Sequence, residues 1–318
     1  MDLRQTPQYS EYLKSLNWIV EEIDGVYYFI KKIWLFGSVI KAQRPKKFDS
    51  TTIEQLAKKY RVFQVILEPT LSTVFNSKMG FHINKKNLAL GSCVGTKNRS
   101  SSGVWAMSNV HKLIIQHGYK LAKSSYLPTK TTVIDLKKSL TKMLQKMHHK
   151  TRYNIKKSCN LQLTTYNSKD ILSFADFWQS CALKQRGMYL SQKKEIIALY
   201  KAFEKNCSII FVFPPTTYNL KPTTFPLASV FSVYSKDTAF YMYAAATPEG
   251  KKRFAPTLAA WESIKLAKKR HLKYYDFEGV FDERFPLPSW KGFSRFKLSF
   301  GGKVVEYPGS YVKFRLPV

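Results

Sequence analysis

The chain has 318 residues, 44% of them hydrophobic and 15% aromatic, with 52 Lys and Arg against 21 Asp and Glu for a formal net charge of +31. That much apolar material excludes a mainly disordered chain, and the length exceeds one ordinary core, so two domains are expected. No apolar run approaches the roughly 18 residues that span a bilayer, and Met1-Asp2-Leu3-Arg4-Gln5 opens no secretory signal. Four scattered cysteines and six histidines lack zinc-type spacing, so a reduced, cytoplasmic protein without a metal is expected.

In chain order, residues 7–20 read as a helix with Pro7 near its start. Residues 25–30 and 33–40 are rich in β-branched and aromatic side chains and read as strands, stopped at Arg44-Pro45. A short helix over 51–60 takes Ser50 or Thr51 as its cap, with Glu54 near the third position. Residues 62–67 read as a strand, 76–103 as a loop or small hairpin, and 108–117 as a helix closed by Gly118. A short strand at 133–136 feeds a basic stretch.

From Lys137 to Lys157 there are eight Lys and Arg and no acid, while Leu140, Met143, Leu144 and Met147 repeat at helical spacing. One amphipathic helix with a core face and a basic face is expected there. Lys146, Lys150, Arg152 and Lys156 on that basic face are candidates for contact with phosphates or an anionic membrane; the plainer alternative is a solvated face.

A second series follows: a strand at 161–165, helices at 169–185 and 193–204, strands at 208–213, 228–234 and 239–245, a helix at 256–269, and a strand at 273–277 turning at Gly279. Both halves run helices, strands, helix, strand, without a residue-level repeat. The expected fold is α/β with mixed sheets in two domains, 1–136 and 137–302, the last strands at 303–318 packing back on the first.

Two segments concentrate chemistry. Tyr241-Met242-Tyr243-Ala244-Ala245-Ala246 and Tyr275-Asp276-Phe277-Glu278-Gly279-Val280 put polar groups at strand ends, where α/β clefts form. Strict alternation places Tyr241 and Tyr243 on one face, and likewise Asp276 and Glu278. Lys297, between Phe296 and Leu298, is either a solvent-facing strand residue or a cation in a pocket. Asp276 and Glu278 are candidates to orient an attacking amine or take its proton, or are turn residues at a strand end.

These segments, with Thr132-Val133-Ile134-Asp135-Leu136, the run Lys150-Thr151-Arg152-Tyr153-Asn154-Ile155-Lys156, and Phe296-Lys297 ahead of Phe300-Gly301-Gly302, resemble the Fem family from about residue 130 onward. Before that, only Pro7-Gln8-Tyr9 through Leu13-Lys14 to Trp18 is similar. The resemblance implies two tandem GNAT-like N-acyltransferase domains in a compact, FemX-like monomer. It implies transfer of an amino acid from aminoacyl-tRNA to the side-chain amine of a peptidoglycan stem peptide, on lipid II or a UDP-linked muropeptide. No cofactor or metal is implied, because the donor ester is already activated.

The resemblance also carries roles. Phe296-Lys297 matches the motif whose lysine faces the developing oxyanion, with Asp276 alongside. Tyr241, Tyr243 and Tyr275 match positions at the acceptor site, and Glu278 stands where the family has glycine. Lys14, with Trp18 nearby, matches an acceptor-diphosphate lysine, and Arg186, or Lys184, the corresponding arginine. The rival readings are an acetyl-CoA-dependent N-acetyltransferase of the same fold, which would want a Gly-rich turn near 246–258, and a non-enzymatic nucleic-acid or membrane-surface binder, which explains the charge alone. Work at the inner face of the plasma membrane is compatible with the expected location.

Overall fold

The computed structural model of the chain describes residues 2–70, 73–76, 110–186, 192–215 and 225–316. The expected loop or hairpin over 76–103 lies, past Asn76, outside the described residues. Two compact units form, Met1–Thr131 with Phe281–Lys291 and Lys303–Val318, and Thr132–Val280 with Gly292–Gly302.

The first unit opens with α1 (Pro7–Ser15), whose cap is Thr6 and whose first turn holds Pro7. The helix stops short of the expected residue 20. Asn17 takes a left-handed φ of 61°, and Ile19–Ile23 leaves as strand β1. β1 pairs with β2 (Val26–Ile33) through Asp24-Gly25, both at positive φ, the geometry of a tight hairpin. β3 (Gly37–Gln43) and β4 (Lys47–Asp49) follow. α2 (Ser50–Lys59) is capped by Asp49, which accepts from the backbone of Thr51 and Thr52, one residue before the expected cap. β5 (Val62–Glu68), β6 (Val74–Asn76), a helix over 110–116 (α3) and β7 (Lys120–Leu121) complete this part.

The second unit contains β8 (Lys130–Asp135), α4 (Leu140–Lys146), α5 (His149–Asn160), β9 (Thr164–Ser168), α6 (Ile171–Arg186) and α7 (Lys193–Phe203). β10 (Cys207–Phe213), β11 (Ala228–Ser235), β12 (Thr238–Ala246), α8 (Pro248–Lys252), α9 (Ala255–Lys269), β13 (Tyr274–Asp276) and α10 (Lys291–Leu298) follow. The chain closes with β14 (Lys303–Glu306) and β15 (Tyr311–Phe314).

The sheets are mixed and repeat one pairing pattern. In the first unit the order is β1-β2-β3-β5-β15-β7. β2–β3 is antiparallel, β3–β5 parallel after the α2 crossover, and β5–β15 antiparallel. In the second, the run β8-β13-β12-β11-β10-β9 of a seven-stranded sheet has β11–β12 antiparallel, β12–β13 parallel after the α9 crossover, and β13–β8 antiparallel. A mixed sheet with one parallel pair bridged by a helix, built twice, is the tandem α/β architecture expected from the order of elements.

Two sequence expectations need correction. Residues 281–291, assigned above to the second domain, lie in the first unit, and the division falls at 131/132. A buried carboxylate explains this: Asp282 accepts from Thr129 Oγ1 at 2.6 Å and from Arg284 Nη2 at 2.7 Å, and Arg284 also donates to the carbonyls of Thr129 and Tyr307. The neighbouring arginine holds the Asp282 carboxyl below the usual carboxylate range despite burial, which acts the other way as the largest single influence.

The basic stretch is two helices, not one. The backbone turns extended at Met147 and His148. Met143 and Met147 both stay in the core, but the break frees polar groups that find new partners. His148 N donates to Ser299 O at 2.8 Å, His148 Nδ1 accepts from Lys150 N, and Arg152 donates to the carbonyls of Gln145 and Met147. Arg152 thus caps the end of α4.

Gly301 follows, with φ +74° and an imagined Cβ only 2.2 Å from the Lys146 carbonyl oxygen. Gly301→Ala should therefore cost about 2 kcal/mol or more in stability, read as a lower urea midpoint at unchanged slope.

Candidate functional site

β12 and β13 run together for only three residue pairs, Thr238↔Tyr274 to Phe240↔Asp276. β13 ends there, while β12 continues to Ala246. Where the parallel neighbours part, a cavity of about 510 Å³ opens, within the size range of small-ligand sites. Its wall is Tyr241 and the run Ala244-Ala245-Ala246 from β12, Trp178 and Cys181 from α6, and Phe293 and Phe296 from α10. Three successive alanines withdraw side-chain volume from the strand and leave the space. Trp178 and Cys181, one helical turn apart, were legible in the sequence only as a core face.

The two tyrosines of β12 do not share a face. Tyr243 lies opposite Phe231 and Tyr241 opposite Ser232, so Met242 is an extra residue, a β-bulge. The bulge reverses the alternation. Tyr241 packs 5.3 Å from Phe277 in the core beneath α9, whereas Tyr243 stacks on Phe231 and meets Trp178 edge-on at 5.8 Å. Burial raises the Tyr241 phenol far above its ordinary value, so it stays neutral. Tyr275, a candidate substrate contact, is fully buried, and its hydroxyl is bonded to Ser263 (2.9 Å) and Ser232 (3.3 Å). It is a core residue.

Lys297 sits on helix α10 rather than on a strand, 9% exposed. Its Nζ donates to the carbonyls of Phe277 (2.6 Å) and Gly279 (2.8 Å), with the Glu278 carbonyl at 3.4 Å. The ammonium lies 5.0 Å from the Phe293 ring and 5.6 Å from the Tyr241 ring, both cavity walls. Burial brings its pKa down to about 8, against the charges of Glu278 and Asp276, which favour the protonated form.

The turn that offers these carbonyls is shaped by Glu278 at φ 52° and Gly279 at φ 105°. Asp276 secures it by accepting from Glu278 N at 2.8 Å. Because β13 ends at Asp276, Glu278 lies in the turn and strand alternation does not relate the two carboxylates, contrary to the reading above.

Lys251 lines the cavity, and Lys251-Lys252-Arg253 precede α9, whose start has no side-chain cap because the ring of Phe254 carries no hydrogen-bond acceptor. Lys251 and Lys252 form the last turn of α8, the end of a helix that favours cations, and stand just ahead of the first turn of α9. Arg253 is paired with Glu249 at 2.7 Å.

In the first unit, Trp18 holds a different lysine from the one expected. Lys14 is exposed and paired with Glu11, whereas Lys41 lies 5.0 Å from the Trp18 ring and 5.5 Å from Tyr126, with Lys31 5.6 Å from Trp18. Burial lowers the Lys41 pKa. Alternating strand residues gave no hint that one cation was sandwiched by two rings. Lys184 is exposed on α6, and Arg186 is its last residue, with a side chain outside the described residues. Lys146, Lys150 and Lys156 are exposed, and the Lys138 ammonium beside Lys146 lowers its pKa. Among the described residues, no group of three His, Cys, Asp or Glu could hold a metal ion.

Tyr275→Phe tests the division between core and site. It should lower stability by about 1 kcal/mol through the lost hydroxyl bonds, read as a lower urea midpoint at unchanged slope; an unchanged midpoint would take Tyr275 out of the core.

Residues 216–318 match the sequence model of the FemAB family. No curated protein matches the chain by sequence. The crystal structure of FemX is similar over 99% of this chain and 92% of that one, with TM-score 0.72 and 13% identity. The C-terminal domain of a putative lysylphosphatidylglycerol synthetase from Agrobacterium fabrum matches 98% of this chain and 88% of its own, with TM-score 0.53 and 9% identity. L-PGS from Bacillus licheniformis matches 96% and 86%, with TM-score 0.53 and 11% identity. At such identities the likeness is one of fold.

Proposed function

We propose that this chain, FemX-like in fold and with a FemAB-family C-terminal segment, is an aminoacyltransferase that moves an amino acid from aminoacyl-tRNA to the stem-peptide amine of a peptidoglycan precursor, lipid-linked or UDP-linked. The observation that carries this reading is the buried Lys297 ammonium behind the aromatic wall of the cavity. Attack of an amine on an activated ester creates an oxyanion, and a fixed positive charge in a water-poor site is what lowers that barrier. The carbonyl cradle holds the charge in place, so little reorganisation is needed when negative charge develops. The ester supplies its own activation, so the step requires neither nucleotide hydrolysis nor a metal.

The other parts fit this division of labour. The anionic 3′ end of a tRNA suits the uncapped start of α9 with Lys251 at the cavity rim. Exposed Lys146, Lys150 and Lys156 extend the basic surface for its acceptor stem, while Arg152 keeps α4 terminated. Asp276 positions the turn rather than touching substrate. In the first unit, Lys41 between Trp18 and Tyr126 replaces Lys14 as the cation suited to acceptor phosphate.

Lys297→Met should lower kcat by about 10²–10³-fold with an unchanged circular dichroism spectrum, the scale of one lost oxyanion partner. Lys297 is protonated below about pH 8 and loses its proton above it, well before an ordinary lysine. Wild-type kcat should therefore fall as pH rises through about 8, and the Lys297→Met variant should lack that limb. Full activity of the variant, or a limb that survives the substitution, would remove Lys297 from the chemistry.

The function is tested by following labelled amino acid from a mixed pool of charged tRNA to UDP-linked muropeptide and to lipid II separately, beside an acetyl-CoA reaction. Label reaching a muropeptide only from tRNA is the expected result. Consumption of acetyl-CoA with no transfer from tRNA would overturn the reading while leaving the fold intact.

A further inference from the structure

The first unit carries an apolar tip that none of the transfer chemistry uses. The β2–β3 hairpin ends in Ile33-Trp34-Leu35-Phe36, with Trp34 92%, Leu35 82% and Phe36 71% exposed. The tip is held out by backbone. Ile33 pairs with Gly37, Ser38 N donates to the Arg61 carbonyl at 3.0 Å, and a Cβ at Gly37 would sit 2.3 Å from that oxygen. At the same end of the sheet, Phe314 on β15 and Leu316 after it are also exposed. β15 lies two strands from β3, about 10 Å away by strand spacing. Soluble surfaces seldom gather so many large apolar side chains.

Cations surround this end. Lys32 precedes the tip, and Lys58 and Arg61 close the α2–β5 connection where Gly37 makes its contact; all three are exposed. Of the carboxylates on this sheet and on α2, Glu54 is engaged by Lys313 and Arg315, and Glu21 by Lys59 and Tyr60. Three exposed cations beside a protruding apolar tip match a surface that is apolar within and negatively charged at its face. The tip suits a fluid surface that deforms around it and is negatively charged, where Trp favours the headgroup level. Among the described residues no helix is long and apolar enough to cross a membrane, so attachment would be at the surface.

We propose that the Ile33–Phe36 hairpin tip is a membrane wedge that inserts into an anionic lipid surface, with Lys32, Lys58 and Arg61 against the headgroups. This reading rests on the surface of the first unit and stands or falls separately from the aminoacyl transfer.

The test is sedimentation of the full chain with vesicles of phosphatidylglycerol and phosphatidylcholine, against phosphatidylcholine alone. Wild type should bind the anionic vesicles and keep part of that binding at 0.5 M salt, because inserted apolar groups are not screened. The triple variant Trp34→Ser, Leu35→Ser, Phe36→Ser should bind at least tenfold more weakly and lose the salt-resistant part, with muropeptide transfer in solution unchanged. Brominated acyl chains should quench tryptophan emission in wild type. Trp34→Phe, which keeps an apolar tip, should still bind but lose that quenching. The wedge is overturned if the triple variant binds like wild type, or if quenching persists in Trp34→Phe. It is also overturned if wild type ignores vesicles and the triple substitution instead lowers its oligomeric mass, which would make the tip a contact between two copies.

Discussion

A lysine side chain buried to 9% exposure cannot keep its charge unless the protein replaces the water it has lost. Here the replacement is three backbone carbonyls of one turn, and much of the second unit follows from presenting them. The turn needs two consecutive left-handed residues, Glu278 and Gly279, so β13 must stop at Asp276. Once β13 stops, β12 runs on to Ala246 without its parallel neighbour, and that stretch lines the cavity. On the other side, helix α10 must bring Lys297 inward, and the chain beyond it must return past Lys146 and Thr132 so closely that Gly301 and Gly302 have no room for a side chain.

The first unit reaches a related solution with weaker means. Lys41 is only partly buried and is stabilised by two ring faces rather than by carbonyls. Both arrangements separate a cation from bulk solvent without neutralising it by direct contact with a carboxylate. Such a charge keeps its reach toward an incoming anion, whereas an exposed pair such as Lys14 with Glu11 is already satisfied and screened.

The tandem α/β plan was legible because β-branched strands, glycine stops and helical spacing are local signals. The apolar neighbours Phe296 and Leu298 left two settings open for Lys297, a solvent-facing strand residue or a cation in a pocket, so its burial was only partly legible. Its helical setting was not, because Phe296-Lys297-Leu298 fits either period. The break at Met147 left no proline or glycine to read; it is imposed by contacts with Ser299, far away in sequence. Ile19-Val20-Glu21-Glu22-Ile23 extends a helical pattern as well as it alternates, and only the turn at Asn17 decides. Asp282 became visible as an anchor of the first unit only when Thr129 and Tyr307 were brought beside Arg284. Lys41 between two rings required a partner 85 residues away, which no spacing rule contains.

The bulge at Met242 gives β12 two independent histories of constraint. Residues before it are tied to the volume beneath α9, and Tyr243 after it to the side of the sheet covered by α6. A strand without the bulge would link these demands through one alternating frame, so that enlarging the pocket would disturb the core. With it, the packing of Tyr243 on Phe231 and Trp178 is set independently of Tyr241, which lines the cavity and supports the Lys297 ammonium. One inserted residue lets the two faces of a single strand change separately.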